Sequence, residues 1–372
     1  MRSRGTVLHV LEAVGGGTLR HLEDVTREMQ EWRHVVAAPE RRSAYLSADL
    51  DVLSRTAEIR VLPMKRAYSS GQNAAAVVRV ARLIKELNVD LVHGHSGVGG
   101  VVATMAGALT AVPRIYTPHG LNDTRTALLA ERALIRLRTR VVAVSHSEAD
   151  ALLQLGYPHD RVTVIPNGVE PRPSGQGGLE ATPFVGSPVV AFIGRFVPEK
   201  GADVAVEALC DLAWALPEAG LYMIGAGPLE AHLHAGVARR GLADRIQWLR
   251  CDQGAERLLD HVDVLIAPSR REGGPYLPLD AMLRRVPVIL TDVVGNRDLA
   301  ESGARAVLVP PDDPAAVARG VLEVCSDGER RSALTARARA FVLSERSLSG
   351  VASSLDALYG SLVRAPIRQV RA

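Results

Sequence analysis

Val190-Ala191-Phe192-Ile193-Gly194-Arg195-Phe196-Val197-Pro198-Glu199-Lys200-Gly201 reads as a buried strand that breaks into a turn and then a helix. An unbroken apolar run closed by glycine suits a strand covered on both faces. The run carries Gly194 and Arg195 to its C-terminal tip, and Lys200 stands at the start of the next helix. Arg195 offers a planar fork of donors and Lys200 a compact charge, a pair suited to a diphosphate. The plainer alternative is that both side chains pair with Glu199 and other surface acids. Lysine is scarce in the chain: Lys65, Lys85 and Lys200 are the three among 44 basic residues.

The same rhythm extends in both directions. Downstream, Leu221–Ile224, Ile246–Leu249, Val264–Ala267, Val286–Leu290 and Ala306–Val309 read as strands, and the chain is helical from about Asp313. Upstream, Thr6–Leu11, His34–Ala37, Ile59–Leu62, Leu91–His93, Arg114–Thr117, Val141–Val144 and Val162–Ile165 alternate with amphipathic stretches such as Leu19–Glu31 and Gln72–Leu87. Strands separated by helix-length segments form parallel, doubly wound sheets. The rhythm lapses only from Pro166 to Pro188, which is rich in Pro, Gly and Ser and reads as a linker. The expected architecture is α/β, with Rossmann-like domains at residues 1–172 and 187–345. They would face a cleft at the C-terminal ends of both sheets, where ligands bind in such folds.

Composition excludes several function classes. The chain of 372 residues is 47% hydrophobic and 23% charged, with a net charge of +3, so no nucleic-acid partner is indicated. Residues 1–180 hold 22 basic against 18 acidic residues and the remainder 22 against 23, a weak basic bias. Cys210, Cys251 and Cys325 are widely spaced and form no CxxC pair, which argues against a disulfide framework or a zinc site and fits a reducing compartment. Val7–Leu11 is too short for a signal peptide, and Val98–Val112 too short and too broken to span a bilayer. A cytoplasmic protein is expected.

A second motif lies at Arg271-Glu272-Gly273-Gly274-Pro275-Tyr276-Leu277-Pro278-Leu279-Asp280-Ala281-Met282. Glu272 and Asp280 bracket a Gly-Gly-Pro turn that leads into an apolar helix start. Pro278 is tolerated in a first helical turn, whose N–H groups and dipole favour phosphate oxygens. An acid on either side suits the hydroxyls of a ligand carrying that phosphate. A helix-start acid answering the dipole is the plain alternative.

Together these two stretches resemble the nucleotide-sugar site of retaining GT-B glycosyltransferases, family 4. The likeness runs over nearly the whole chain. Gly15-Gly16-Gly17 is similar to that family's acceptor-side glycine loop and Thr117-Pro118-His119-Gly120 to its histidine loop. Val144-Ser145-His146-Ser147 and Val164-Ile165-Pro166-Asn167-Gly168-Val169 are similar to the segments that close its first domain. The resemblance implies an acceptor-binding N-terminal domain, a nucleotide-sugar-binding C-terminal domain, and a last helix near Leu348–Val363, within residues 346–372, that crosses back to the first domain.

It further implies roles. Arg195 and Lys200 neutralise the diphosphate, Glu272 holds donor-sugar hydroxyls, and the backbone from Gly273 through Gly274, Pro275 and Tyr276 to Leu277 contacts sugar and phosphate. His119 lies near the reaction centre, against the donor sugar or its leaving oxygen, and Gly16 and Gly17 line the ligand. Asp280 takes the ribose-side position, where the family generally has Glu; the shorter side chain loses ~1.5 Å of reach. Leu249-Arg250-Cys251-Asp252 occupies the base-pocket segment without the family's usual glycine, so the base is left open. Arg20, Glu23 and Asp24, beside the glycine loop, are candidate acceptor contacts.

The implied reaction moves a sugar from a nucleoside diphosphate sugar to an acceptor hydroxyl with retention, needing neither metal nor cofactor. The acceptor expected first is a bacterial surface glycan or lipid-linked glycoconjugate, then a small natural product. A sugar-nucleotide epimerase and a non-catalytic sugar-nucleotide-binding homologue are the rivals that share the donor. Other features read plainly. Asp49-Leu50-Asp51 is a literal DxD without a strand tip to present it, so it reads as surface charge. His93 and His95 share a strand face, but without an evident third ligand they read as structural. Gly225-Ala226-Gly227-Pro228 lacks the third glycine and the downstream acid of a dinucleotide turn; the resemblance implies a strand-to-helix turn near the nucleotide. Arg132, Arg136, Arg138 and Arg140 read first as a solvated helix face, second as a peripheral contact with the inner face of a membrane or with a pyrophosphate-linked acceptor.

Overall fold

The computed structural model describes residues 3–12, 14–39, 50–65, 67–68, 70–171, 184–250 and 255–364. Asp49, much of the Pro/Gly/Ser stretch (172–183), Cys251 and Asp252 lie outside them. The chain forms two compact units. The first is drawn from Met1–Ser43, Ala48–Asn167 and Leu348–Ala372, the second from Gly168–Ser347.

In the first unit β1 (Thr6–Leu11) leads through α1 (Gly16–Glu28) to β2 (Arg33–Ala38) and β3 (Glu58–Val61). Then come α2 (Gly71–Glu86), β4 (Leu91–His95), α3 (Gly97–Thr110), β5 (Arg114–Thr117), α4 (Arg125–Arg136), β6 (Arg140–Ala143), α5 (His146–Gln154) and β7 (Val162–Val164). Its seven strands are parallel in the order β3-β2-β1-β4-β5-β6-β7. The order reverses between β1 and β4, which puts a crevice at their C-terminal ends. Helix starts are marked by the expected residue types: Ser70, Thr124 and Ser145 accept from Gln72, Ala127 and Glu148 backbone N–H groups.

The second unit repeats the plan. It contains β8 (Val189–Ile193), α6 (Ala202–Ala215), β9 (Gly220–Ile224), α7 (Glu230–Arg239), β10 (Ile246–Leu249), α8 (Ala255–Leu258) and β11 (Val264–Ala267). There follow α9 (Tyr276–Leu283), β12 (Val288–Thr291), α10 (Asn296–Ala300), β13 (Val307–Val309), α11 (Pro314–Ser326) and α12 (Gly328–Glu345). The sheet is parallel, ordered β10-β9-β8-β11-β12-β13. Val190, Phe192, Leu209 and Val321 pack on one face of it, and Ala191, Leu265, Leu279 and Met282 on the other. β12 starts two residues later than its apolar run, because Pro287 has no N–H to give the ladder. Only the Pro287 carbonyl is used, accepting from Leu265 N–H at 3.0 Å.

The last helix, α13 (Leu348–Arg364), returns to the first unit. Leu355 and Tyr359 are fully buried there among Val7, Trp32 and Ile115, and Asp356 accepts from Trp32 Nε1 and Arg4 Nη1, each at 2.8 Å. Burying Leu355 alone stabilises by about 2 kcal/mol. Among the described residues no helix is long and apolar enough to cross a membrane.

Candidate active site

The two motifs of the second unit meet at adjacent strand tips. Lys200, in the turn after β8, places Nζ 2.6 Å from Glu272 Oε1, and Ser269 Oγ donates to the same oxygen at 2.7 Å. Glu272 Oε2 takes no hydrogen bond among the described residues, and the side chain is 12% exposed against 31% for Lys200. A nearly enclosed carboxylate with one oxygen occupied and one open suits a hydroxyl-bearing ligand, with the ammonium beside it for a phosphate.

Arg270 holds the two loops together, a role that sequence reading missed. Its guanidinium grips Asp203 with two bonds, at 2.8 and 2.6 Å, reaches Asp312 at 2.6 Å and donates to the Pro198 carbonyl at 2.7 Å. Its own N–H donates to the Glu199 carbonyl at 2.9 Å. Burial pushes the Asp203 carboxyl up, but the Arg270 bonds and charge outweigh it and hold the pKa below the usual range. Arg270 thus fixes the Lys200 turn to the loop that carries Glu272.

Backbone contact completes the arrangement. Gly201 sits at φ +65°, and a Cβ there would lie 2.0 Å from the Pro268 carbonyl oxygen. Gly201→Ala is therefore expected to cost about 2–4 kcal/mol in urea unfolding. It should also lower kcat/KM at least about tenfold, because Lys200 must shift although its own side chain is untouched. Gly295 (φ +82°) similarly abuts Gly273, whose carbonyl would lie 2.4 Å from an added Cβ. α9 then starts at Tyr276 with no side-chain cap at Pro275, so backbone groups alone form the positive end of its dipole. Leu277 and Pro278 continue its first turn.

Arg195 is half-buried in the loop after β8. Gly194 N–H and Phe196 N–H on either side donate to the Ile224 and Ala226 carbonyls, both at 2.9 Å, which ties the loop to the Gly225–Gly227 turn. Asp280 is 1% exposed, with Oδ1 4.0 Å from Nη1 of Arg284. It lies one turn into α9 rather than at its mouth.

In the first unit, Gly15 and Gly16 open α1 at φ 138° and 61°, with Gly17 in its first turn. Asp24, one of the acceptor candidates beside them, is buried between Arg20 (3.6 Å) and Arg27 (3.2 Å). His119 follows β5 in the left-handed region (φ +56°). The buried carboxylate of Glu148 steadies that loop, accepting from Gly120 N–H at 2.7 Å and Val144 N–H at 2.8 Å. Glu148→Ala would strand both donors, so a loss of about 2–4 kcal/mol is expected in denaturant titration.

The expectation that His93 and His95 lack a third imidazole is corrected. The parallel register sets His9 of β1 opposite His93, and His9 Nδ1 lies 3.1 Å from His95 Nε2. Register between distant strands cannot be read from spacing. One ring nitrogen from each of His9, His93 and His95 lies within 4.8 Å of the other two, and the same holds for His21, His95 and His119. His93 spends both nitrogens on hydroxyls, Tyr359 Oη at 2.7 Å and Thr117 Oγ1 at 2.8 Å. Burial lowers the pKa of His9, His21, His34, His93, His95 and His119, that of His21 to about 4 against an opposing bond from Asn167. Asp51 is exposed in a short helical turn, and Arg132, Arg136 and Arg138 are exposed around α4. Arg140, at the start of β6, is half-buried and donates to the Asp160 carbonyl, so the expected solvated face does not extend to it. Glu131 turns inward to Tyr116 and Tyr157.

Comparison with known proteins decides the family. Residues 180–341 match the family described as glycosyl transferases group 1, and residues 15–172 match glycosyltransferase family 4. A 2-deoxystreptamine N-acetyl-D-glucosaminyltransferase of Streptomyces fradiae is 30% identical over 71% of this chain and 69% of its own length. This chain belongs to the group 1 glycosyltransferases. A D-inositol 3-phosphate glycosyltransferase of Nocardia farcinica is 31% identical over 68% of the chain, and the match spans 62% of that relative's length. The fold of this family member is GT-B: Anabaena HepE, solved with UDP and glucose, superposes with a TM-score of 0.79 over 96% of the chain and 100% of HepE, at 19% identity.

Proposed function

We propose that the chain transfers a sugar from a nucleoside diphosphate sugar to a hydroxyl of a small polyol, with retention and without a metal ion. The observation that carries this is the Lys200–Glu272–Ser269 cluster at the tips of β8 and β11. In this reading Glu272 Oε2 accepts from donor-sugar hydroxyls while Oε1 stays with Lys200 and Ser269. Lys200, Arg195 and the start of α9 stabilise negative charge as the anomeric carbon separates from the diphosphate oxygen. The acceptor oxygen bonds to that carbon on the same face, and its proton passes to the departing phosphate oxygen. Cationic groups then do the work that a divalent metal does in other transferases. Asp280 takes the ribose side and His119 the donor sugar.

The acceptor is inferred from the relatives. Inositol phosphate and 2-deoxystreptamine are both compact, polyhydroxylated cyclohexane rings. An aromatic content of 4% leaves few stacking platforms for a long glycan. Both points favour a cyclitol-like acceptor over an exported glycan, which remains the second reading. A cytoplasmic setting, where nucleotide sugars are synthesised, fits the cysteine usage.

The test is an NMR panel of nucleotide sugars against inositol phosphate, 2-deoxystreptamine and a glycan primer, with and without EDTA. Transfer to a cyclitol with the donor's anomeric configuration, unchanged by EDTA, is the expected result. Binding with neither transfer nor hydrolysis of any donor would sink the enzyme reading. An inverted product would remove retention, and loss of rate in EDTA would remove metal independence.

A further inference from the structure

Four buried or half-buried imidazoles form a single file. His119 Nε2 lies 3.1 Å from His95 Nδ1, His95 Nε2 3.1 Å from His9 Nδ1, and His9 Nε2 3.1 Å from His34 Nδ1. His34 Nε2 then lies 3.0 Å from the backbone carbonyl of Met29, where the file ends. His9 and His95 are fully buried and His34 is 3% exposed.

We infer that this file is a tautomer lock, in which the Met29 carbonyl dictates that His119 carries its proton on Nε2 and presents Nδ1 as a bare acceptor. A carbonyl can only accept, so His34 must hold its proton on Nε2 and offer a lone pair at Nδ1. Burial keeps each ring neutral, with one proton apiece. His9 must then place its proton on Nε2 to fill the contact with His34, His95 must do the same toward His9, and His119 toward His95. With His34 so fixed by the carbonyl, no other distribution gives every N···N contact one hydrogen. The file does not conduct protons, because its inner end is an amide oxygen that cannot take one up.

The consequence for substrate rests on the transfer reading above. A neutral imidazole offering a lone pair accepts from a hydroxyl and repels a phosphate oxygen. His119 therefore faces a sugar hydroxyl rather than the leaving oxygen. His95, His9 and His34 are positioning residues for it.

The experiment is 15N NMR of the histidine-labelled protein at pH 7.5, with the His119 signals assigned through His119→Asn. The expected result is a protonated Nε2 and an unprotonated Nδ1 at His119, His95, His9 and His34. A proton on His119 Nδ1, an imidazolium in the file, or stoichiometric zinc with metal-shifted ring nitrogens would overturn the inference. His34→Gln keeps a donor for Met29 and an acceptor for His9, whereas His34→Leu keeps neither. The Gln variant should hold the His119 signature and a kcat/KM within about threefold of the parent, and the Leu variant should lose the signature and about 10–100-fold in kcat/KM. An unchanged His119 signature in His34→Leu would also overturn it. Because the NMR signature needs no substrate, a protein that keeps it yet transfers nothing retains the lock and loses the functional reading.

Discussion

Replacing Lys200 by alanine is expected to lower kcat by about 10²–10³-fold, the usual cost of removing one group that stabilises charge developing in a transition state. The same change should scarcely affect folding. Lys200 is 31% exposed, so its bond to Glu272 is screened by water and contributes at most about 1 kcal/mol. Glu272 keeps its bond from Ser269. Steady-state rates with saturating donor, set beside urea midpoints, separate the two effects. A variant with near-parental kcat would show that Lys200 is a structural partner of Glu272 and nothing more. Arg195→Ala gives the independent comparison, since no hydrogen bond between Arg195 and the Lys200–Glu272 pair is needed for its proposed role.

Acid is expected to unfold the first unit well above the pH at which carboxylates protonate. A histidine in an unfolded chain titrates near 6.5. His9, His21, His34, His93, His95 and His119 are all held below that value by burial. Above pH 6.5 both states are neutral, and these rings contribute no pH dependence. As pH falls through 6.5 the unfolded chain binds protons that the native state refuses, so stability declines until the folded pKa is reached, about 4 for His21. At pH 5 a ring held as low as His21 costs about 2 kcal/mol, and three held that low would rival the whole stability of an ordinary domain. The check is urea unfolding at pH 7.5 and pH 5.0, followed by the fluorescence of Trp32 in a Trp214→Phe, Trp248→Phe background. A midpoint that stays put between the two pH values would contradict the prediction.

Much of the fold was legible because parallel sheets buried on both faces write themselves as short apolar runs at helix-length intervals. Thr6–Leu11 matches its strand residue for residue, and the run that opens at Val190 and breaks at Gly194 lies within Val189–Ile193. Glu272 and Lys200 were legible for a related reason: strand tips in doubly wound sheets are where ligands bind, so charge placed just past an apolar run stands out. What could not be read was tertiary. Arg270 joins Asp203 and Asp312 across three connections, and nothing in local spacing links those positions. The histidine file depends on register. His9 and His34 sit alone in apolar runs, and only the pairing of Val7 with His34 and His9 with His93 sets them on one face of the sheet. A lone histidine inside a strand buried on both sides was the available signal, since a polar ring there must find a partner.

Helix α13 has a consequence for biosynthesis. Domains normally complete themselves in the order in which the ribosome emits them. Here the first unit takes Leu355, Asp356 and Tyr359 from the far end of the sequence, and Tyr359 Oη meets His93 inside it. Its sheet can assemble early, but the part of one face that α13 covers stays open until about residue 360 has left the exit tunnel, by which time Gly168–Ser347 has been fully synthesised. The unit made first is thus the last to close, and for that interval a chaperone or a neighbouring nascent chain meets an apolar face that carries buried histidines.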